Sequence, residues 1–150
     1  IATAAFLLLQ KDPESILVIL PADHWITDDR EFTDTLLQAA RIAHETGGII
    51  TIGIPPAFPA TGYGYIRVNA GSGGVKVEAF VEKPDVKTAK SYLASGDYFW
   101  NSGIFVCKTS AILREIETHL PELYFPLKAL STCKTKETII EFIDRVYPSL

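Results

Sequence analysis

Two apolar runs, ILVIL at residues 16–20 and IITIGI at residues 49–54, stand on either side of an amphipathic stretch, REFTDTLLQAARIAHETGG. In that stretch Phe32, Leu36, Ala39, Ala40 and Ala43 recur at helical spacing. Asp28 or Asp29 stands where a helix cap belongs, and Gly47 is placed to stop the helix. Strand, helix, strand, with both strands apolar throughout, is the pattern of parallel strands covered on both faces. The expected fold is therefore α/β, a mostly parallel sheet with flanking helices.

The rest of the chain extends this pattern. Ile1 to Lys11 reads as the end of a helix, and KDPES turns into the first strand. After Ile54 comes a proline- and glycine-rich loop, PPAFPATGYGYIRV, that enters a short strand. GSGG at residues 71–74 reads as a turn, and the alternation of Val75, Val77, Ala79 and Val81 as a strand with one face more exposed. Asp85 caps a helix ending at Gly96, SGIFVC returns as an apolar strand, and from Thr109 onward the pattern is helical with a break at Pro121. No repeat and no linker divides residues 1–150 into two domains.

Composition narrows the function classes. With 150 residues, 47% of them hydrophobic, the chain can bury a sizeable core. A net charge of -4, with 14 basic residues spread thinly, offers no cationic block for nucleic acid or a membrane surface, so neither is expected as a partner. Cys107 and Cys133 lie far apart, which argues against a zinc knuckle or a disulfide framework and favours a reduced, cytoplasmic setting. IATAAFLLLQ lacks the basic leader and cleavage pattern of a signal peptide, and no apolar run approaches the roughly 20 residues of a membrane span. A chain that begins at Ile1 and contains no methionine reads as a piece of a longer one.

Four stretches can carry chemistry. In an open α/β sheet ligands bind beyond the carboxyl ends of the strands, and Asp23 lies three residues past Leu20. A carboxylate there can hold Mg²⁺, which takes oxygen ligands and keeps waters and phosphate oxygens. The ordinary alternative is a turn-forming Asp, and for His24 an ordinary loop residue. In TGYGY, residues 61–65, closely spaced glycines let the backbone approach a ligand, although the same spacing is common in plain turns. Glu82 and Lys83 of EKP can accept from sugar hydroxyls and neutralise a phosphate, or can be a surface charge pair. In WNSGIF, residues 100–105, Asn101 can present a carboxamide to a hydroxyl with Trp100 packed behind, or form a polar turn before a strand.

In order and spacing LPADHW, TIGIPPAFPATGYGYI, VEAFVEKPD and YFWNSGIFV resemble the bacterial mannose-1-phosphate guanylyltransferases, the GDP-mannose pyrophosphorylases, over about residues 1–125. The resemblance implies a Rossmann-like nucleotidyltransferase domain that converts GTP and mannose 1-phosphate to GDP-mannose and pyrophosphate with Mg²⁺. It implies that Asp23 is the metal ligand and catalytic, and that Gly64 offers backbone contact to the sugar. Glu82 would bind mannose hydroxyls, Lys83 the sugar phosphate in a catalytic role, and Asn101 the mannose ring. The family's glycine-rich phosphate signature and its second metal-binding Asp are absent, so residues 1–150 are expected to be a partial domain, incomplete at both ends and inactive alone. Two readings stay open beside it: a nucleotidyltransferase for glucose or a related sugar, and a non-catalytic relative that binds a sugar phosphate. The reading leaves room for a homo-oligomer.

Overall fold

The computed structural model describes residues 1–71 and 74–150; Ser72 and Gly73, the centre of the expected GSGG turn, lie outside the described residues. The elements run α1 (Ala2–Leu9), β1 (Ile16–Ile19), α2 (Asp29–Thr46), β2 (Ile50–Ile54), β3 (Tyr65–Gly71), β4 (Gly74–Val81), α3 (Val86–Ser95), β5 (Tyr98–Lys108), α4 (Thr109–His119), α5 (Pro121–Lys128) and α6 (Lys136–Val146). They fall into two compact units, one made of Ile1–Ile50 with Phe105–Leu150 and the other of Thr51–Ile104.

In the first unit α2 begins and ends where its sequence dictates. The Asp28 side chain accepts a hydrogen bond from the Glu31 N–H at 2.9 Å, and Gly47 closes the helix in the left-handed region at φ 66°. Ala39 and Ala43, one turn apart, are the residues of α2 that are buried. The core joins Phe6 of α1, Leu17 of β1, Cys107 of β5, Leu113 and Ile116 of α4, Leu127 of α5 and Phe142 of α6. Burial pushes the Cys107 thiol up, which keeps it protonated and inert. β1 pairs antiparallel with the end of β5, Ile16 opposite Lys108 and Ile19 opposite Phe105. The start of β1 is tied to the end of β5 by the Thr109 N–H, which donates to the Ser15 carbonyl at 3.0 Å.

In the second unit β3 pairs antiparallel with β4 on one side and with the first residues of β5 on the other, while β2 also pairs with β5. Strand β5 starts at Tyr98, four residues before the apolar run that announces it, so the WNS segment is strand and not turn.

The α/β class is as expected, but the pairings differ from those of a mostly parallel sheet. Among the described residues β1 with β5, β3 with β4 and β3 with β5 are antiparallel pairs. β5 supplies the partner for β1 and for β3, so β1 is bonded to a strand that follows it much later in the chain. An apolar run reports burial and carries no information on strand direction, which is why the sequence pattern misleads here. Coverage of both faces is also incomplete: Leu17 is buried, whereas Val18 and Leu20 are 42% and 47% exposed.

Candidate functional site

The loop ahead of β3 is fixed by aromatic residues. Tyr65 is fully buried, and its hydroxyl donates to the Ala60 carbonyl at 2.9 Å, closing the loop onto the strand it enters. Phe58 and Tyr63 meet the Trp100 ring edge-on, with centroids 5.0 and 5.2 Å away. The Trp100 indole Nε1 is buried without a hydrogen-bond partner among the described residues, so packing alone holds the ring.

This scaffold sets Gly64 in the path of β3. Its carbonyl accepts from the Asn101 N–H at 2.8 Å. Tyr65 stands opposite Val81 on β4 and opposite Trp100 on β5, so one step along the ladder aligns Glu82, Gly64 and Asn101 in a single row across three strands. Directly opposed residues share a face, and neighbours along a strand alternate. Glu82 and Asn101 therefore lie on the same side of the sheet, and Trp100 projects from the other. The carboxylate bears out this direction: a Cβ placed on Gly64 would meet Glu82 Oε2 at 2.9 Å and the Phe80 ring at 3.2 Å. Gly62, by contrast, would meet nothing within 4 Å, so of the two glycines only Gly64 is needed for a close approach.

Asn101 is held through both its main chain and its side-chain oxygen. Its side-chain Oδ1 accepts from the Thr51 hydroxyl at 3.0 Å, and the same hydroxyl lies 3.2 Å from the Ile104 carbonyl. Two residues on, Gly103 holds a left-handed backbone at φ 74°, a conformation that costs a glycine little and any residue with a Cβ more.

Lys83 carries the same kind of backbone without the excuse of being glycine. Its φ is 44°, although a residue before proline is ordinarily extended. Such strain in a non-glycine residue costs about 1–2 kcal/mol and persists only where the surroundings enforce it. Its Nζ stands 3.5 Å from Glu82 Oε1, and both side chains are well exposed. A salt bridge of that kind contributes little to stability, so the pair is free to meet a ligand.

Asp85 secures the far side of this turn. Its carboxylate accepts from the Thr88 N–H at 2.7 Å and caps α3, as expected, and Gly96 ends that helix at φ 78°. The Thr88 backbone bond, then the Thr88 hydroxyl, hold the Asp85 carboxyl below its ordinary value. A depressed folded pKa gives stability that is complete above the ordinary carboxyl range and lost as pH falls through the folded value. The Tm difference between the wild type and Asp85→Ala is therefore expected to shrink on going from about pH 7 to about pH 3, as followed by circular dichroism. A difference that stays constant over that range would show that the capping bond does not depend on the charge.

Asp23 belongs to the other unit, in the turn after β1, where it is exposed beside an exposed His24 and a Trp25 that is 89% exposed. No cluster of three or more His, Cys, Asp or Glu side chains that could hold a metal occurs among the described residues. One exposed carboxylate suits Mg²⁺, which is commonly held by one or two carboxylates plus substrate phosphates. Gly64, Glu82, Lys83 and Asn101 are thus brought together within one unit. Trp100 is marked behind Asn101 in WNSGIF, whereas no role is read from the sequence for Phe58 or the Thr51 hydroxyl.

Comparison with known proteins adds to this picture. A model of the nucleotidyl transferase family matches residues 1–141. The xanthan biosynthesis protein XanB of Xanthomonas campestris pv. campestris (strain B100) is 46% identical over 123 residues, 82% of this chain and 26% of that protein. Mannose-1-phosphate guanylyltransferase RfbM of Salmonella typhimurium (strain LT2) is 43% identical over 128 residues, 83% of this chain and 26% of that protein. The chain thus spans about a quarter of the length of these curated relatives. The crystal structure of a mannose-1-phosphate geranyltransferase from Thermus thermophilus matches with a TM-score of 0.78 at 30% identity, covering 97% of this chain and 45% of that one.

Proposed function

Because the chain belongs to the nucleotidyl transferase family, we propose that the full-length protein transfers GMP from GTP to mannose 1-phosphate, giving GDP-mannose and pyrophosphate. The observation that carries the reading is the row of Glu82, Gly64 and Asn101 on one face, with Lys83 beside it in a strained backbone. The relatives point the same way: RfbM is a mannose-1-phosphate guanylyltransferase.

A phosphate oxygen of mannose 1-phosphate attacks the α-phosphorus of GTP, the new O–P bond forms, the bond to the β-phosphate oxygen breaks, and pyrophosphate leaves. Such transfers depend on positioning and charge neutralisation, with no side-chain nucleophile. In this reading the Glu82 carboxylate accepts from mannose hydroxyls, and the buried Gly64 backbone packs against the sugar. The Asn101 amide donates to a ring substituent, and the Lys83 ammonium neutralises the sugar phosphate. Asp23 would hold Mg²⁺, whose charge offsets that of the phosphates when bound. A cytoplasmic setting is part of the same proposal and rests on the two unpaired cysteines and on GTP as substrate. The described residues contain no helix long and apolar enough to cross a membrane.

The direct test is pyrophosphate release by the full-length protein from GTP with mannose 1-phosphate, set against UTP or dTTP with glucose 1-phosphate. Turnover with the second pair alone would replace mannose by glucose in the proposal, and turnover with neither would leave a sugar-phosphate-binding protein. Gly64→Ala supplies a finer check. Its new methyl would displace the flexible Glu82 carboxylate end and press on the half-exposed Phe80 ring, so the Tm should fall only slightly, while KM for mannose 1-phosphate rises by about 10-fold through misplacement of Glu82. A KM at the wild-type value would remove Glu82 from the sugar site.

A further inference from the structure

We propose that Thr51 is a positioning residue for the sugar, acting through Asn101; the inference rests on the reading of Asn101 as a mannose contact. A carboxamide has two ends of opposite character, an oxygen that accepts and an NH₂ that donates, and a small rotation exchanges them. An exposed amide presents either end to a ligand at little cost. Asn101 is not in that position. The Thr51 hydroxyl donates to its Oδ1 at 3.0 Å, the shorter of two contacts that share its one proton, the other being the Ile104 carbonyl on β5 at 3.2 Å. The Asn101 backbone is pinned independently by the 2.8 Å bond from its N–H to the Gly64 carbonyl. With main chain and oxygen both fixed, Nδ2 is the end left to donate to a sugar oxygen.

Thr51 sits in the right place for this by sheet geometry. Gly53, two residues along β2 and on the same face, stands against Phe99, the residue two before Asn101, with a would-be Cβ only 2.9 Å from Phe99 Cβ. The absence of a side chain at Gly53 lets β2 lie close enough to β5 for the Thr51 hydroxyl to reach the amide. Thr51 touches no substrate in this arrangement. It sets which end of Asn101 the substrate meets.

The test uses the full-length protein and four variants, Thr51→Val, Thr51→Ser, Asn101→Ala and the double variant Thr51→Val/Asn101→Ala. Thr51→Val keeps shape and β-branching but removes the hydroxyl; one hydrogen bond to an oriented amide predicts a rise of about 3- to 10-fold in KM for mannose 1-phosphate. KM for GTP and kcat should stay within about 2-fold, and Thr51→Ser, which keeps the hydroxyl, should restore the wild-type KM. In the double variant the Thr51 change should add nothing to Asn101→Ala, because the amide it orients is gone. Should Thr51→Val not fold, Thr51→Ala carries the same comparison.

A purely structural role for Thr51 would lower the Tm, shift both substrates together and add to Asn101→Ala, and that result would overturn the proposal. So would an unchanged KM for mannose 1-phosphate in Thr51→Val when Asn101→Ala raises it, a result that leaves the function reading standing. If Asn101→Ala itself leaves that KM unchanged, the sugar contact fails, and the role of Thr51 with it.

Discussion

Asp23→Asn is expected to lower kcat of the full-length protein by about 100- to 1000-fold, the range for losing one group that stabilises charge in a transition state. Binding of mannose 1-phosphate should weaken by less than about 2-fold, because the change removes charge and not shape, and the proposed sugar contacts lie on other residues. The exposed position of Asp23 adds a second expectation: the fold does not depend on it, so the Tm should be unchanged. Steady-state kinetics and calorimetry on the same preparation separate the two effects. A drop in kcat of less than about 10-fold, at saturating Mg²⁺, would take the metal away from Asp23.

Lys83→Ala is the second large effect. Losing a charge-assisted contact to the sugar phosphate should raise KM for mannose 1-phosphate by about 10- to 100-fold, with a change of less than about 3-fold for GTP. Because the Glu82–Lys83 pair is exposed, little of this should appear as lost stability. The backbone supplies a control. At φ 44° a glycine is more comfortable than an alanine, so Lys83→Gly should be more stable than Lys83→Ala by about 1 kcal/mol while suffering the same loss in KM. Thermal unfolding of both variants reads the strain, and kinetics read the ammonium. Equal KM effects on both substrates would argue that Lys83 serves the GTP phosphates as well.

Helix limits, strand positions and caps were legible in the chain because each depends on a few neighbouring residues. Asp28 and Asp85 do cap the helices they precede, and Gly47 and Gly96 do close them in the left-handed region. The motifs located four of the five candidate residues in one unit: Gly64 precedes β3, Glu82 and Lys83 follow β4, and Asn101 lies within β5. Motif spacing was silent on Thr51, the one hydroxyl in IITIGI, a run that reads as apolar throughout. Its partner Asn101 is fifty residues away, and only strand pairing brings the two within reach.

What the sequence determined by itself was local: which residues are helical or extended, where glycine is required, and a set of motifs specific enough to identify a nucleotidyltransferase. What tertiary structure decided was which strands meet and in which direction. The runs ILVIL and IITIGI carry the hydrophobicity of buried strands, and burial costs or gains the same whether a neighbour runs parallel or antiparallel. Direction is settled for β1 and β3 by β5, which starts 79 residues after the end of β1 and pairs antiparallel with both. The pairings of β3 with β4 and with β5 put the Glu82 carboxylate and the Asn101 side-chain amide on one face, on either side of Gly64. That alignment is a property of register between strands, and no local window of the chain contains it.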